Sequence, residues 1–174
     1  QPVHPLYGEH PAVLTRRTPP VQAITEINHG PWTSGANWGL STSHIRSVRN
    51  HLVANGVYVL CVHLRWWGDG AIPRIAQALT ESFSSVTAWL PPEGVDSLIF
   101  VATDSPPAFG QVASRFSPAK ADLASLGLHS PEMLAGSALL GDGALRKMAT
   151  TAFGPLQPQL LSASIFERPT LHLG

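Results

Sequence analysis

The segment VYVLCVHL, residues 57–64, decides the fold class of this chain. It is a nearly continuous apolar run that contains three β-branched valines and no formal charge. Such a run is typical of a central strand that is covered on both faces. Helical patterns lie on either side of it, and this alternation of strand and helix predicts an α/β fold.

The region before this strand contains a second predicted strand and a helix. VQAITEI, residues 21–27, is predicted as a strand, and residues 42–54 as a helix that the Ser/Thr cluster at 41–43 can cap. Asn55 and Gly56 are expected to end the helix. Its apolar stripe consists of Ile45, Val48, Leu52 and Val53.

The region after the central strand continues the alternation and then becomes helical. A helix is predicted over residues 71–83, followed by strands at 84–90 and 96–103 whose short connection favours a hairpin. Helices follow from residue 104, among them a segment that begins SPEMLAGSALL and a last helix capped by Asp142, and TLHLG could close the chain as a strand. This order predicts the second half of a doubly wound sheet of about four to five strands.

The boundaries follow from the same patterns. Residues 1–20 carry five prolines and no sustained period, so they are predicted as an extended arm. Residues 21–174 are predicted as one domain. No apolar run reaches the roughly 20 residues that span a bilayer, so no transmembrane segment is predicted.

Charge and cysteine usage limit the possible functions. Lys+Arg and Asp+Glu are both 11, and this balance argues against nucleic-acid binding and a polybasic membrane surface. The charged fraction of 13% is about half of the roughly 25% usual in soluble domains. Either another subunit covers part of the surface, or the composition reflects a GC-rich genome that favours Ala, Gly, Pro and Arg. The single Cys61 excludes a disulfide within the chain and leaves the compartment open.

Candidate site residues cluster where two predicted strands end. In AITEINHGPWTSG, residues 23–35, a strand breaks into a turn that carries Glu26, His29 and Trp32. Ligands of α/β proteins bind outside the carboxyl ends of strands, and His63 ends the next strand, so these residues are pocket candidates. The alternative is structural: Trp32 as a packing anchor and His63 as a satisfied histidine at the sheet edge.

A second cluster, Arg65, Trp66 and Trp67, is the best candidate for a contact surface. Tryptophan and arginine are enriched at the energetic centres of protein interfaces. His4, Glu9 and His10 lie in the arm, where no helix or strand fixes their spacing, and no metal site is predicted from them.

Several segments resemble one protein family in their order along the chain and in their amino-acid sequence. They are the Pro31-Trp32 and Ser34-Gly35 pairs, HLVANGVYVLCVHL at 51–64, DSLIFVATDSP at 96–106, residues 121–149 with a Gly-Asp before the last helix, and ERPTLHL at 167–173. Over about residues 21–174 they resemble the C-terminal part of the spermidine synthase-like (polyamine aminopropyltransferase) proteins, especially bacterial ones fused to membrane-transporter-like segments. The resemblance implies part of a class I methyltransferase-like Rossmann fold.

The family's chemistry first requires a nucleotide site. A Gly-rich loop and an acidic residue on the following strand hold S-adenosylmethionine or its decarboxylated form. The predicted strands and helices of this sequence do not include the half of the fold that carries this nucleotide site. Gly68-Asp69-Gly70 follows a strand and opens a helix, but the next strand ends in Trp, Leu and Pro where the acid should stand. No cofactor is therefore predicted for this chain.

The family also needs a carboxylate that orients or deprotonates the attacking amine. Counting back from Pro31-Trp32, the family's acidic position falls on Ile27, and Glu26 is one residue away. A shift of one residue reverses the face of a strand, so Glu26 can act as the base only if the turn has absorbed a deletion.

The third requirement is a surplus of acids that binds the polyamine. The family's acidic stretch before the closing Arg-Pro reads SASIF here, residues 162–166, and its polar position on the central strand is Leu60. These substitutions remove negative charge where a polyamine would need it.

Two functions follow from this pattern. The first is a degenerate, non-catalytic domain that serves as a structural or accessory subunit of a larger complex. Because the bacterial proteins that it resembles are often fused to membrane-transporter-like segments, the resemblance implies that this complex is associated with a membrane. The second is an aminopropyltransferase or S-adenosylmethionine-dependent methyltransferase whose cofactor-binding half lies on another segment or chain. In that case Glu26 is the base, and His29, Trp32 and His63 line the pocket.

Overall fold

A computed structural model describes residues 19–28, 38–64, 70–91, 96–105, 109–125 and 127–152. Its strands are β1 (Val21–Asn28), β2 (Leu52–His63), β3 (Ser85–Trp89), β4 (Ser97–Thr103) and β5 (Ala138–Leu140). Its helices are α1 (Thr42–His51), α2 (Ala71–Ser82), α3 (Phe109–Ser125), α4 (Pro131–Gly136) and α5 (Asp142–Ala152), and a 3₁₀ turn, Trp38–Leu40, precedes α1.

The strands form one mixed sheet in the order β1-β2-β4-β3-β5. β1 and β2 are parallel, whereas the β2–β4, β4–β3 and β3–β5 pairs are antiparallel. The predicted hairpin is therefore present as β3 and β4. The predicted α/β fold with four to five strands and flanking helices is confirmed.

One face of the sheet carries the hydrophobic core. Side chains alternate along β2, so that Tyr58, Leu60 and Val62 are buried while their neighbours are half-buried. α1 packs on β2, α5 on β3, and α2 against both helices. The core members with less than 1% exposure on the remaining strands are Val86, Ala88, Phe100 and Ala102.

Helix α1 ends three residues before the predicted boundary, at His51 rather than Ala54. Ser41 begins it as predicted, because its side chain accepts a hydrogen bond from the His44 N–H at 3.2 Å. At the other end Leu52 is already extended, and its N–H donates to the Arg49 carbonyl. Leu52 and Val53 therefore belong to β2 and not to the apolar stripe of the helix.

The pairing of β1 with β2 contains an irregularity at its start. Val21 pairs with Leu52, but Ala23 already pairs with Val57, so residues 53–56 bulge out of the ladder. Asn55 within this bulge has a φ of 64°, a left-handed conformation that asparagine tolerates. The Asn55-Gly56 pair predicted to end a helix thus sets the register between the two parallel strands.

The C-terminal part differs from the prediction in its details. The helix predicted over SPEMLAGSALL ends at Gly136, and Ala138–Leu140 forms β5 against β3. Asp142 is the first residue of α5, and its carboxylate accepts hydrogen bonds from the Val86 N–H at 2.9 Å and Arg146 Nε at 2.8 Å. The predicted arm at 1–20 lies almost wholly, and the predicted closing strand wholly, outside the described residues.

No helix in the described part of the chain is both long and apolar enough to cross a lipid bilayer.

Candidate functional site

Glu26 is a carboxylate in the hydrophobic core. It lies on β1 in register with Leu60 of β2, and its side chain is only 8% exposed. Oε2 accepts a hydrogen bond of 2.6 Å from the Tyr58 hydroxyl. The same oxygen lies 3.2 Å from His44 Nε2. Tyr58 and His44 are both 0% exposed, so these three side chains form a buried polar cluster.

Three separate elements supply the buried polar cluster. β1 carries Glu26, β2 carries Tyr58, and His44 lies in the first turn of α1, which packs on β2. The tautomer of His44 with its proton on Nε2 can donate a hydrogen bond to an ionised Glu26 carboxylate, which only accepts hydrogen bonds. Burying a carboxylate is costly, and the two donors offset that cost.

Gly39 makes room for the other oxygen of the same carboxylate. A Cβ atom placed on Gly39 would lie 2.6 Å from Glu26 Oε1, and Gly39 is itself buried. The side chain of Glu26 cannot easily move aside, because its Oε2 is held by Tyr58 and His44. The absence of a side chain at Gly39 is therefore part of the cluster's geometry.

Substituting Gly39 with alanine is expected to lower the free energy of unfolding by about 1–2 kcal/mol, since the new methyl group must displace a held carboxylate. Urea denaturation followed by circular dichroism measures this change. The Gly39→Ala, Glu26→Ala double variant is the control: without the carboxylate, the methyl group should cost less than it does in the parent chain. An equal cost in both backgrounds would contradict this view of Gly39.

Tyr58 has a pKa raised well above its usual value of 10.0. Burial is the largest cause, followed by the negative charge of Glu26 and the hydrogen bond that Tyr58 donates to it. The folded protein therefore binds this proton more tightly than the unfolded chain. The resulting stabilisation is complete below about pH 10 and is lost as the pH rises towards the higher pKa of the folded state.

We accordingly expect the free energy of unfolding to fall above about pH 10 by up to about 1.4 kcal/mol per pH unit from Tyr58 alone. Tyr58→Phe should remove this component and give a flatter profile between pH 9 and 11. Urea denaturation at a series of pH values tests this. Parallel profiles for the parent and the variant would rule out Tyr58 as the titrating group.

His63 lies on the other side of the sheet from Glu26. Its side chain shares a face with the half-buried Cys61, and its Nδ1 lies 2.9 Å from the hydroxyl oxygen of Ser97 on β4. Ile27 follows Glu26 on β1 and is 54% exposed, again on the opposite face. The structure therefore does not bring Glu26 and His63 into one pocket.

The remaining predicted site residues, His29, Trp32, Arg65, Trp66 and Trp67, lie outside the described residues. Their assignment to a pocket and a contact surface stays a prediction. Among the residues whose structure is described, no group of three or more His, Cys, Asp or Glu side chains could hold a metal ion.

The predicted site did not include His44, Tyr58 or Gly39. Two of them had a weak signal in the sequence: His44 precedes Ile45 on the buried stripe of α1, and Tyr58 lies among apolar residues on the buried face of β2. A polar side chain at a core position needs a partner, and Glu26 on the neighbouring strand was available.

Helix α2 does not connect two neighbouring strands of the sheet. β3 is separated from β2 by β4, so the two strands that flank α2 are not neighbours as in a dinucleotide-binding unit. The carboxyl end of β3 carries Trp89, Leu90 and Pro91, without an acid for a ribose. Trp89 Nε1 instead donates to the Thr87 hydroxyl at 2.7 Å.

No protein-family model matches the chain, and no curated protein sequence matches it. Its fold is similar to the crystal structure of a probable spermidine synthase from Corynebacterium glutamicum, with a TM-score of 0.53 and 16% sequence identity. The similarity covers 84% of this chain and 51% of the synthase chain, so this chain spans about half the length of that structure. The predicted spermidine synthase-like, Rossmann-type fold is thereby confirmed at the level of fold.

Proposed function

We propose that this chain is a non-catalytic domain of spermidine synthase-like fold that acts as a structural or accessory subunit of a larger assembly. The observation that carries the proposal is the state of Glu26. Its carboxylate is almost completely buried, and one oxygen already accepts from Tyr58 and faces His44. These contacts belong to the core and leave the carboxylate little access to a substrate.

A general base must reach the proton that it removes, within hydrogen-bond distance or through one water. For Glu26 to reach an amine substrate, the amine would have to displace the contacts of its carboxylate with Tyr58 and His44, which are both 0% exposed. The residue at the family's acidic position, Ile27, is exposed but has no titratable group. Neither residue supports deprotonation of an amine.

The charges near the site also argue against a polyamine substrate. Polyamines carry several positive charges and need carboxylates around them. Leu60 is a core residue with 0% exposure, and the balanced net charge of the chain provides no acidic surplus. In the proposed role the chain binds its partners through its surface, and Arg65, Trp66 and Trp67 are the candidate contact residues.

One observation favours a second candidate function. The matched structure is a probable spermidine synthase, and this chain corresponds to about half of it. An aminopropyltransferase or S-adenosylmethionine-dependent methyltransferase could arise if another segment or chain supplied the nucleotide-binding half. Glu26 would then be the base, and His29, Trp32 and His63 would line the pocket.

Titration calorimetry of the assembly isolated with its native partners and any adjoining segments, with S-adenosylmethionine and with decarboxylated S-adenosylmethionine, distinguishes the two functions, because the second function needs a nucleotide-binding half outside this chain. The proposal predicts no saturable heat for either compound. Saturable binding that is lost in Glu26→Gln would overturn it and favour the enzyme. Glu81→Gln is the matched control, because Glu81 lies exposed on α2 and its carboxylate accepts only a surface hydrogen bond from Gln77 in the described contacts.

A further inference from the structure

The Asn55-Gly56 pair in the bulge of β2 carries a chemical reactivity that the accessory function does not use. In the described sheet, residues 53–56 have no cross-strand partner on β1 or on β4. Asn55 is exposed there, so water reaches its side-chain amide. The pair is therefore open to chemistry at the point that sets the register of two strands.

The glycine after Asn55 decides how reactive its amide is. The backbone nitrogen of a following residue can attack the side-chain carbon Cγ of an asparagine, and glycine has no Cβ atom that screens this nitrogen. The other asparagines, Asn28, Asn37 and Asn50, precede His or Trp, whose bulky side chains hinder the attack. Asn55 also has a φ of 64°, a conformation in which a residue with a side chain is strained.

Ser105 places a hydrogen-bond donor on the oxygen of the same amide. Its hydroxyl donates to Asn55 Oδ1 at 2.5 Å. Attack on Cγ moves negative charge onto this oxygen, and a donor that is already in place stabilises such charge. The Ser105 N–H donates to Oγ1 of the buried Thr103 at 3.3 Å, which ties the serine to the end of β4.

We propose that Asn55 is a site of spontaneous modification, at which Ser105 assists the conversion of asparagine to aspartate and isoaspartate. The Gly56 nitrogen forms a bond to Asn55 Cγ and gives up its proton, and the side-chain nitrogen takes up a proton and leaves as ammonia. Water then adds to the cyclic imide. Cleavage of one of its two C–N bonds gives aspartate, and cleavage of the other gives isoaspartate.

The two products differ in their effect on the fold. Isoaspartate inserts its Cβ atom into the main chain and so lengthens the bulge that sets the register of β1 against β2. Aspartate keeps the main chain unchanged and tolerates the left-handed conformation. The isoaspartyl fraction of aged protein should therefore unfold at a lower urea concentration than the parent, whereas Asn55→Asp should stay close to it.

Mass spectrometry of the full chain, digested with trypsin after incubation at neutral and at alkaline pH, tests the proposal. The peptide of residues 50–65 contains Asn55 and, as an internal control, Asn50. Asn55 should convert faster than Asn50, and its conversion should slow by about threefold or more in Ser105→Ala, because one donor to the developing charge is then missing. The matched control is Ser125→Ala, which removes an exposed hydroxyl that donates to the Asp122 carbonyl and should leave the rate unchanged.

The same incubation in urea separates the effect of the fold from that of the sequence. Parent and Ser105→Ala should convert at equal rates there, because the unfolded chain no longer holds the hydroxyl against Asn55. Three results would overturn the proposal: no conversion of Asn55 in the folded chain, equal rates for the two folded proteins, or a difference between them that persists in urea. Circular dichroism shows that each variant has kept its fold. No outcome depends on S-adenosylmethionine, so the accessory function stands or fails separately.

Discussion

Replacing Glu26 with alanine is expected to lower the free energy of unfolding by about 3–5 kcal/mol. The substitution removes the acceptor of the 2.6 Å hydrogen bond from Tyr58 and the group that faces His44. Both remaining side chains are 0% exposed, so water cannot easily replace the lost carboxylate. Urea denaturation followed by circular dichroism and tryptophan fluorescence measures the loss.

The control for this substitution is Glu81→Ala, which also removes a glutamate but from the exposed side of α2. Its effect should stay within about 0.5 kcal/mol, as for most surface positions. A loss of less than about 1 kcal/mol in Glu26→Ala would mean that the carboxylate does not belong to the core.

Gly56→Ala is expected to cost about 3 kcal/mol, at the upper end of the range for overpacking. A Cβ atom there would lie 2.9 Å from Leu52 Cβ, 3.0 Å from the Val53 carbonyl oxygen and 3.2 Å from the Gln22 carbonyl oxygen. Two of these atoms belong to the backbone, so the bulge itself would have to move. Because the bulge sets the register of β1 against β2, the substitution should also disturb the contact between Glu26 and Tyr58.

Gly143→Ala is the matched control for Gly56. Gly143 lies in the first turn of α5, and a Cβ atom there would meet no other atom within 4 Å. Alanine should be neutral or stabilise the helix by up to about 1 kcal/mol. Denaturation curves of the two variants give the comparison. A Gly56→Ala protein as stable as Gly143→Ala would show that the bulge adapts to a side chain.

Local patterns were sufficient to predict most of the sheet. β2 was predicted from its continuous apolar run, and the β3–β4 hairpin from two short strands with a short connection. The boundary of α1 was wrong because Leu52 fits the apolar period of a helix equally well. The pairing of Leu52 with Val21 of β1 places Leu52 in a strand, and this contact joins residues that are 31 positions apart in the sequence.

The buried polar cluster depends on contacts that no local pattern contains. Glu26 is separated by 18 residues from His44 and by 32 from Tyr58. The sequence showed that a one-residue shift would move an acid to the other face of the strand, and the structure places Glu26 in the core and Ile27 at the surface. Only the pairing of β1 with β2 determines which of the two faces is covered by α1.

The central claim is that the Glu26 carboxylate belongs to the core through its contact with Tyr58. A double-mutant cycle of Glu26→Ala and Tyr58→Phe, with free energies of unfolding from urea denaturation, tests it most directly. The claim predicts a coupling energy of about 1.5–3 kcal/mol, because the two substitutions remove the same hydrogen bond to a charged group. Additive effects, within about 0.5 kcal/mol, would contradict it and make Glu26 available for another role.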